Sequence, residues 1–326
     1  MAHEIGHQFG ANHTFNGSNG SCFGGNRHGS TAYEPGSGST IMAYAGICGA
    51  DDLQTHSDPI FHSASHDQII SNITIGSGST CGTSAVLANT VPTVDAGADF
   101  TIPVNTPFVL TGSATDDDTL NYLWEQRDLG SQADLVAVDD GQIPLFRVYT
   151  SVSSGQRYFP KLATLTSNTA DNAEKLPQMG RTMNFRLTAR DAQGGVDADD
   201  MQVTVEGGSG PFRVTYPNAY TRVDPGSEIT VTWNVAGTDN APVSTASVGI
   251  YLSVDGGLTW DTILAEPTPN DGSETVTLPI INTGQARIIV KAVDNIFFDI
   301  SDSNFKISLP GEGGGGLPFL FLLLFK

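Results

Sequence analysis

The chain has 326 residues, a formal net charge of −20 and a pI near 4.4. That length allows two or three domains, and so acidic a chain is a poor partner for nucleic acid or anionic membranes. Thirty-seven glycines and little overall charge point to strands joined by turns, in a soluble secreted protein whose acidic loops could also hold Ca²⁺.

The first predicted element is a helix over residues 2–9, inside the stretch "HEIGHQFGANH". His3 and His7 are four residues apart, so a helix puts both imidazoles on one face, one turn apart. Two neutral imidazoles so placed suit a divalent metal, zinc above all. Glu4 sits beside the first ligand and can reach a water rather than the ion. Gly10 accepts positive φ, so it can stop the helix and bring His13 round as a third ligand. Three protein ligands leave the fourth zinc position open, as a catalytic site requires.

The full string H-E-x-x-H-x-x-G-x-x-H resembles the zinc signature of the metzincin metallopeptidases. Met42, in "GSGSTIMAYAGICG", stands where that family has its Met-turn. The longer stretch "STAYEPGSGSTIMAYAGICG" is similar to bacterial secreted relatives of the reprolysin (adamalysin) branch. The resemblance covers roughly residues 1–85. It implies that His3, His7 and His13 bind Zn²⁺, that Glu4 is the general base, and that Met42 lies beneath the ligands. It also implies that the loop near 45–58 walls a pocket for the substrate side chain after the scissile bond. One departure is Tyr44, two places after the methionine, which is the pattern of astacins and serralysins. Two readings stay open for it: a phenol that stabilises the oxyanion, or a ring packed under the turn.

Residues 14–60 are rich in Gly, Ser, Asn and Pro and are predicted to be mostly loop. Cys22 and Cys48 could bridge across the Met-turn loop in an oxidising compartment, leaving Cys81 odd; connectivity cannot be read from sequence. "SASHDQIISNI" predicts a second helix, with Ser65 as N-cap, Gln68 completing a capping box, and Ile69, Ile70 and Ile73 as its apolar face. His28, His56, His62 and His66 show no paired ligand spacing and read as loop or helix-surface histidines.

After residue 85 the pattern changes to strands. A linker is expected at 86–91, a β-sandwich at 92–206, a second linker at 207–211, and a second sandwich at 212–309, each sandwich with its own core. Trp124 resembles the buried tryptophan of an immunoglobulin-like sandwich. "PTVDAGADFTI" and "FRLTARDAQGGVDADDMQVTV" resemble a PKD-type or related Ig-like domain, with an insertion near 129–181. In "EITVTWNV", Ile229, Val231, Trp233 and Val235 alternate with polar residues. Asp255, Gly256 and Gly257 form an Asp-box-like hairpin, read as a structural turn. Asp116–Asp118 and Asp197–Asp200 read as solvated loop acids, with Ca²⁺ binding the alternative. The end, residues 310–326, is "PGEGGGGLPFLFLLLFK"; it is too short in apolar residues for a span and resembles a shortened GlyGly-CTERM sorting tail of Gram-negative secretion.

The expected fold class is thus multidomain: a partial α+β metzincin catalytic domain (zinc helix, Met-turn, C-terminal helix) over 1–85, followed by two all-β Ig-like sandwiches. The expected function is that of a secreted or cell-surface zinc metalloendopeptidase acting on a protein or peptide, with a cell-surface or matrix ligand for the sandwiches. The rival is a surface adhesion protein carrying an inactive protease remnant. No signal peptide precedes the motif, so the native protein is expected to extend upstream of Met1, and this chain alone to be weakly active or inactive.

Overall fold

The computed structural model describes residues 1–83, 85 and 88–310. Two residues of the expected 86–91 linker and nearly all of the sorting-tail segment lie outside them. No helix among the described residues is long and apolar enough to cross a membrane.

Helix α1 spans Ala2–Gln8 and α2 spans Ser63–Thr74; between them only 3-10 turns and one bridge, Phe15 with Glu34, interrupt the loop. α1 ends as the glycine predicts. Gly10 has φ +92, its N–H donates to His7 O at 3.0 Å, and Ala11 N–H donates to Gly6 O at 2.9 Å. That pair of bonds is a Schellman closure, which satisfies two helix-end carbonyls and turns the chain.

α2 starts differently from the sequence reading. His62, not Ser65, is its N-cap; Nδ1 accepts from Ala64 N–H at 3.0 Å. Gln68 does not close a capping box but accepts from Asn12 N–H at 2.8 Å, tying α2 to the turn after α1. The expected apolar face is not a buried face either: Ile70 and Ile73 stay 42% and 40% exposed, and Ile5 and Phe9 of α1 are similarly open.

The first sandwich contains β1 (Thr93–Asp95), β2 (Phe100–Pro103), β3 (Phe108–Thr111), β4 (Ser113–Thr115), β5 (Asn121–Gln126), β6 (Gln156–Phe159), α3 (Leu162–Ser167), β7 (Arg181–Arg190) and β8 (Val196–Glu206). Its main sheet runs β2-β8-β7-β5, with β3-β6 and β1-β4 pairs beside it. Trp124 of β5 is buried in the core, and its indole N–H donates to Gly155 O at 2.8 Å.

The second sandwich contains β9 (Arg213–Tyr216), β10 (Arg222–Val223), β11 (Glu228–Asn234), β12 (Ser247–Ser253), β13 (Thr262–Pro269), β14 (Ser273–Thr277), β15 (Thr283–Ala292), β16 (Phe298–Ile300) and β17 (Phe305–Ile307). One sheet runs β10-β17-β15-β12-β13 with β16 also on β15; the other runs β14-β11-β9. Along β11 the alternation holds, with Ile229, Val231 and Trp233 buried. The chain is therefore mostly immunoglobulin-like β-sandwich, with few helices.

The two sandwiches do not have separate cores. One continuous cluster of buried residues includes Phe108, Phe159 and Phe185 from the first and Val231, Phe297 and Phe305 from the second. Nor is 207–211 a free tether: Val104 N–H donates to Ser209 O at 3.0 Å, and Gly210 N–H to Ala236 O at 2.9 Å. Alternation along a strand shows which side chains point inward, but not which module supplies the facing layer.

The N-terminal segment is also clamped to the first sandwich, along two seams. At the first, the stretch after β5 lies along the loop after His13. Asn16 Nδ2 donates to Ser131 O at 3.0 Å, and Gln132 Nε2 donates to Gly17 O at 2.7 Å and Cys22 O at 3.0 Å. Asp51 accepts N–H groups from both sides, Leu135 at 2.8 Å and Ser18 at 2.7 Å. Burial alone would raise the Asp51 carboxyl, but these donors outweigh it and hold it below its ordinary value. At the second seam, Arg127 and Arg186 both bind Asp67 of α2, at 2.8 and 2.9 Å, and Ser63 N–H donates to Glu125 at 2.9 Å.

His62 lies wholly buried at this second seam, stacked on Tyr33, where the sequence reading expects a surface histidine. Burial pushes its pKa from 6.5 down to about 4. A depressed histidine pKa contributes stability that is present above about pH 6.5 and is lost as pH falls toward 4, because only the unfolded chain protonates there. The shift corresponds to at most about 3 kcal/mol. His62→Gln should therefore flatten the decline of Tm between pH 6.5 and 4. Buried Glu125 is raised by burial and acts in the opposite sense, and it lies 3.8 Å from His62 Nε2, so Glu125→Gln and the double variant are measured beside His62→Gln to separate the two. Parallel Tm curves for the wild type and His62→Gln would count against a neutral buried His62.

Candidate metal centre

His3 and His7 project from α1, and the turn at Gly10 brings in His13. The three Nε2 atoms stand 3.0–3.2 Å from one another. Each ring's other nitrogen is engaged by a backbone carbonyl. His3 Nδ1 bonds Ile41 O at 2.7 Å, His7 Nδ1 bonds Ala11 O at 2.8 Å, and His13 Nδ1 makes a short bond to Asn26 O.

A carbonyl oxygen only accepts, so each Nδ1 must carry the ring proton. Each neutral imidazole then presents a bare lone pair at Nε2. Three lone pairs converging at hydrogen-bond distance repel one another unless a cation sits among them. A tetrahedral zinc with Zn–N of about 2.0–2.1 Å would space its nitrogen ligands by roughly 3.3 Å, close to the spacing here. The donor set therefore fits Zn²⁺, and the three carbonyls are the outer partners that orient ligating histidines. Burial, with smaller contributions from His7 and His3, holds His13 below the ordinary imidazole pKa, which favours the neutral form that a ligand needs.

Met42 is fully buried and packs on α1 at Gly6. A Cβ at Gly6 would collide with Met42 Sδ and lie 3.1 Å from Phe61, so the glycine between the two helix histidines lets the turn pack directly on α1. Gly6 was not singled out in the sequence, although a glycine inside a short helix was the available signal. The turn itself is organised by Glu34, wholly buried, which accepts from Thr14 Oγ1 at 2.6 Å and from Ser39 N–H at 2.7 Å.

Glu4 is exposed, on α1 next to His3. The Tyr44 ring lies 4.5 Å from that of His13 and 5.7 Å from that of His3, stacked on Phe15 at 4.6 Å. Burial first, and then the charge of Glu4, raises the Tyr44 pKa, so the phenol keeps its proton at neutral pH. Cys22 and Cys48 are both buried and joined in a disulfide with Cα atoms 5.2 Å apart, while Cys81 is free and exposed.

The other candidates are not gathered at this centre. His28 bonds Ser30 and Thr31, and His66 is half-buried in α2. Asp200 is paired with Arg186 at 2.7 Å and Asp199 accepts from Ala96 N–H at 2.9 Å, so two of the acids in 197–200 are already engaged. Asp116, Asp117 and Asp118 do bring three carboxylates within 4.8 Å of one another, at the surface. Asp255 accepts from Ser253 Oγ at 2.6 Å, Leu258 N–H at 3.0 Å and Thr259 N–H at 3.0 Å, which holds it well below the usual carboxylate range. Those donors all come from its own hairpin, as a structural turn requires.

The family model for the reprolysin-like metallo-peptidases of family M12B matches residues 1–72, which supports a metallopeptidase-family relationship for that segment. No curated protein matches the chain. Among solved structures, it is similar to the N-terminal Ig1-2 module of the Drosophila receptor protein tyrosine phosphatase DLAR, at 12% identity and TM-score 0.36, covering 68% of this chain and 100% of that one. It is also similar to tandem Ig repeats of Dlar, at 11% identity and TM-score 0.33, covering 67% and 96%. A third is the fibronectin(III)-like modules of Clostridium thermocellum CbhA, at 8% identity and TM-score 0.24, covering 70% and 100%.

Proposed function

We propose that the chain is part of a secreted or cell-surface zinc metalloendopeptidase of the metzincin type, carrying two Ig-like sandwiches. The observation that carries this reading is the convergence of three Nδ1-anchored histidines, with Glu4 beside them and Met42 packed on α1. His3, His7 and His13 would hold the ion, which supplies Lewis acidity and lowers the pKa of water to about 7. Glu4 takes the proton of the attacking water and returns it to the leaving amine. Its exposure on the open side of α1 leaves it accessible to both. Tyr44 remains a phenol at neutral pH and donates to the substrate carbonyl oxygen as negative charge develops there. The disulfide and the bonds of Asp51 and Glu34 cross-link the loop around the centre.

The test is hydrolysis of a quenched fluorescent peptide library by zinc-loaded protein. Cleavage that is weak in this chain alone, that a chelator abolishes and that zinc restores is the expected result. Zinc binding with no cleavage of any peptide would favour the second reading, a surface binding protein with a silent centre. If Tyr44 acts only in the transition state, Tyr44→Phe should lower kcat on the order of a hundredfold with KM nearly unchanged. An unchanged kcat would make it a packing residue against Phe15 and His13.

A further inference from the structure

The three histidine anchors differ in what supports them. Ala11 O, which orients His7, belongs to the closure of α1 itself. Ile41 O, which orients His3, lies in the Met-turn beside buried Met42. Asn26 O, which orients His13, lies in an exposed loop containing Gly24 and Gly25, where an added Cβ would meet nothing within 4 Å. The loop has some anchors of its own: Gly24–Asn26 is a single 3-10 turn, and Asn26 Nδ2 donates to Ser21 O at 2.9 Å.

The next residue, however, is held from the sandwich. Arg27, next to Asn26, donates through Nη2 to Gly130 O at 2.7 Å and through Nε to Asn16 Oδ1 at 2.9 Å. Asn16 is buried and is itself held by Ser131 O at 3.0 Å. Gln132 reaches the start of the same loop through the carbonyls of Gly17 and Cys22. A guanidinium fork fixed at two points defines the position of its own backbone far better than a flexible chain could.

We propose that the first β-sandwich is a positioning element of the metal centre, because its 130–132 segment holds Arg27 and Asn16 and through them the carbonyl that orients His13. This rests on the three histidines being a zinc site. Loss of a second-layer partner that orients a ligating histidine typically weakens metal affinity by about 10–100-fold.

The experiment is a competitive Zn²⁺ titration against a chromogenic chelator, using the full chain and three variants. Arg27→Ala and Gln132→Ala break the seam beside His13; Asp67→Ala breaks the other seam, where Arg127 and Arg186 bind α2. Zinc affinity should fall by up to about 10-fold in the first two, which act one layer beyond the orienting carbonyl, and stay within about twofold in the third. Arg27→Lys should recover only part of the loss, since an ammonium cannot span both acceptors. Unchanged affinity in Arg27→Ala and Gln132→Ala overturns the inference. So does an equal loss in Asp67→Ala, which would mean that the seams act only through overall stability. If Arg27→Ala does not fold, Gln132→Ala decides, since it leaves the loop's own bonds in place. A wild-type chain that binds no zinc would instead refute the zinc reading, and the inference with it.

Discussion

Glu4→Gln should leave zinc bound and lower peptide turnover by on the order of a hundredfold to ten-thousandfold, the range for losing a general acid–base group. The amide keeps the size of the side chain but cannot take a proton. Because Glu4 is exposed and makes none of the bonds that orient His3, His7 or His13, the metal centre should be undisturbed. The measurement is kcat/KM beside zinc content for both proteins. Retained turnover in a zinc-replete variant would show that another group activates water, and would remove Glu4 from the proposed mechanism.

His7→Ala should have the larger effect on the metal. Two imidazoles remain, His3 and His13, and a two-ligand site on this open surface should hold zinc at least a thousandfold more weakly, about 4 kcal/mol. The variant also loses the Nδ1 bond to Ala11 O, a net cost of roughly 1 kcal/mol to the α1 closure. Fold loss and ligand loss are separable, because the sandwiches report the first through their own buried tryptophans, Trp124 and Trp233. Zinc bound as tightly as before, with those tryptophans still native, would mean that the ion sits elsewhere.

The part of this centre that was legible in the sequence is the part set by local periodicity. His3, Glu4 and His7 follow from a four-residue helical spacing, and Gly10 from the need for positive φ at the helix end. The supporting groups were not legible. Three of them are backbone carbonyls, of Ala11, Ile41 and Asn26, and a carbonyl has no letter of its own. Gly6 matters only because Met42, thirty-six residues away, packs on it, and that contact is tertiary. His62 was misread for a related reason: Ser65 with Gln68 satisfies the local capping pattern, but Asn12 N–H claims Gln68 and the sandwich claims Ser63 N–H. Local rules lost there to partners distant in the chain.

Strand existence was legible for the same reason as the helix. Alternation in β11 and the aromatic content of β5 mark buried faces directly. The seams were not, since Gly130, Gln132 and Leu135 act through or upon backbone groups, and a stretch of that composition reads only as an insertion. The segment that resembles a metallopeptidase leans on the first sandwich at the loop of its third histidine.

The most direct measurement is X-ray absorption at the zinc edge on the metal-loaded full chain. A three-histidine centre predicts light-atom ligands at about 2.0–2.1 Å, imidazole multiple scattering equivalent to three rings, and no sulfur ligand. That imidazole signal should be lost in His7→Ala. A spectrum with sulfur ligands, or with no imidazole scattering, or one that His7→Ala leaves unchanged, would contradict the assignment of His3, His7 and His13 as a zinc site.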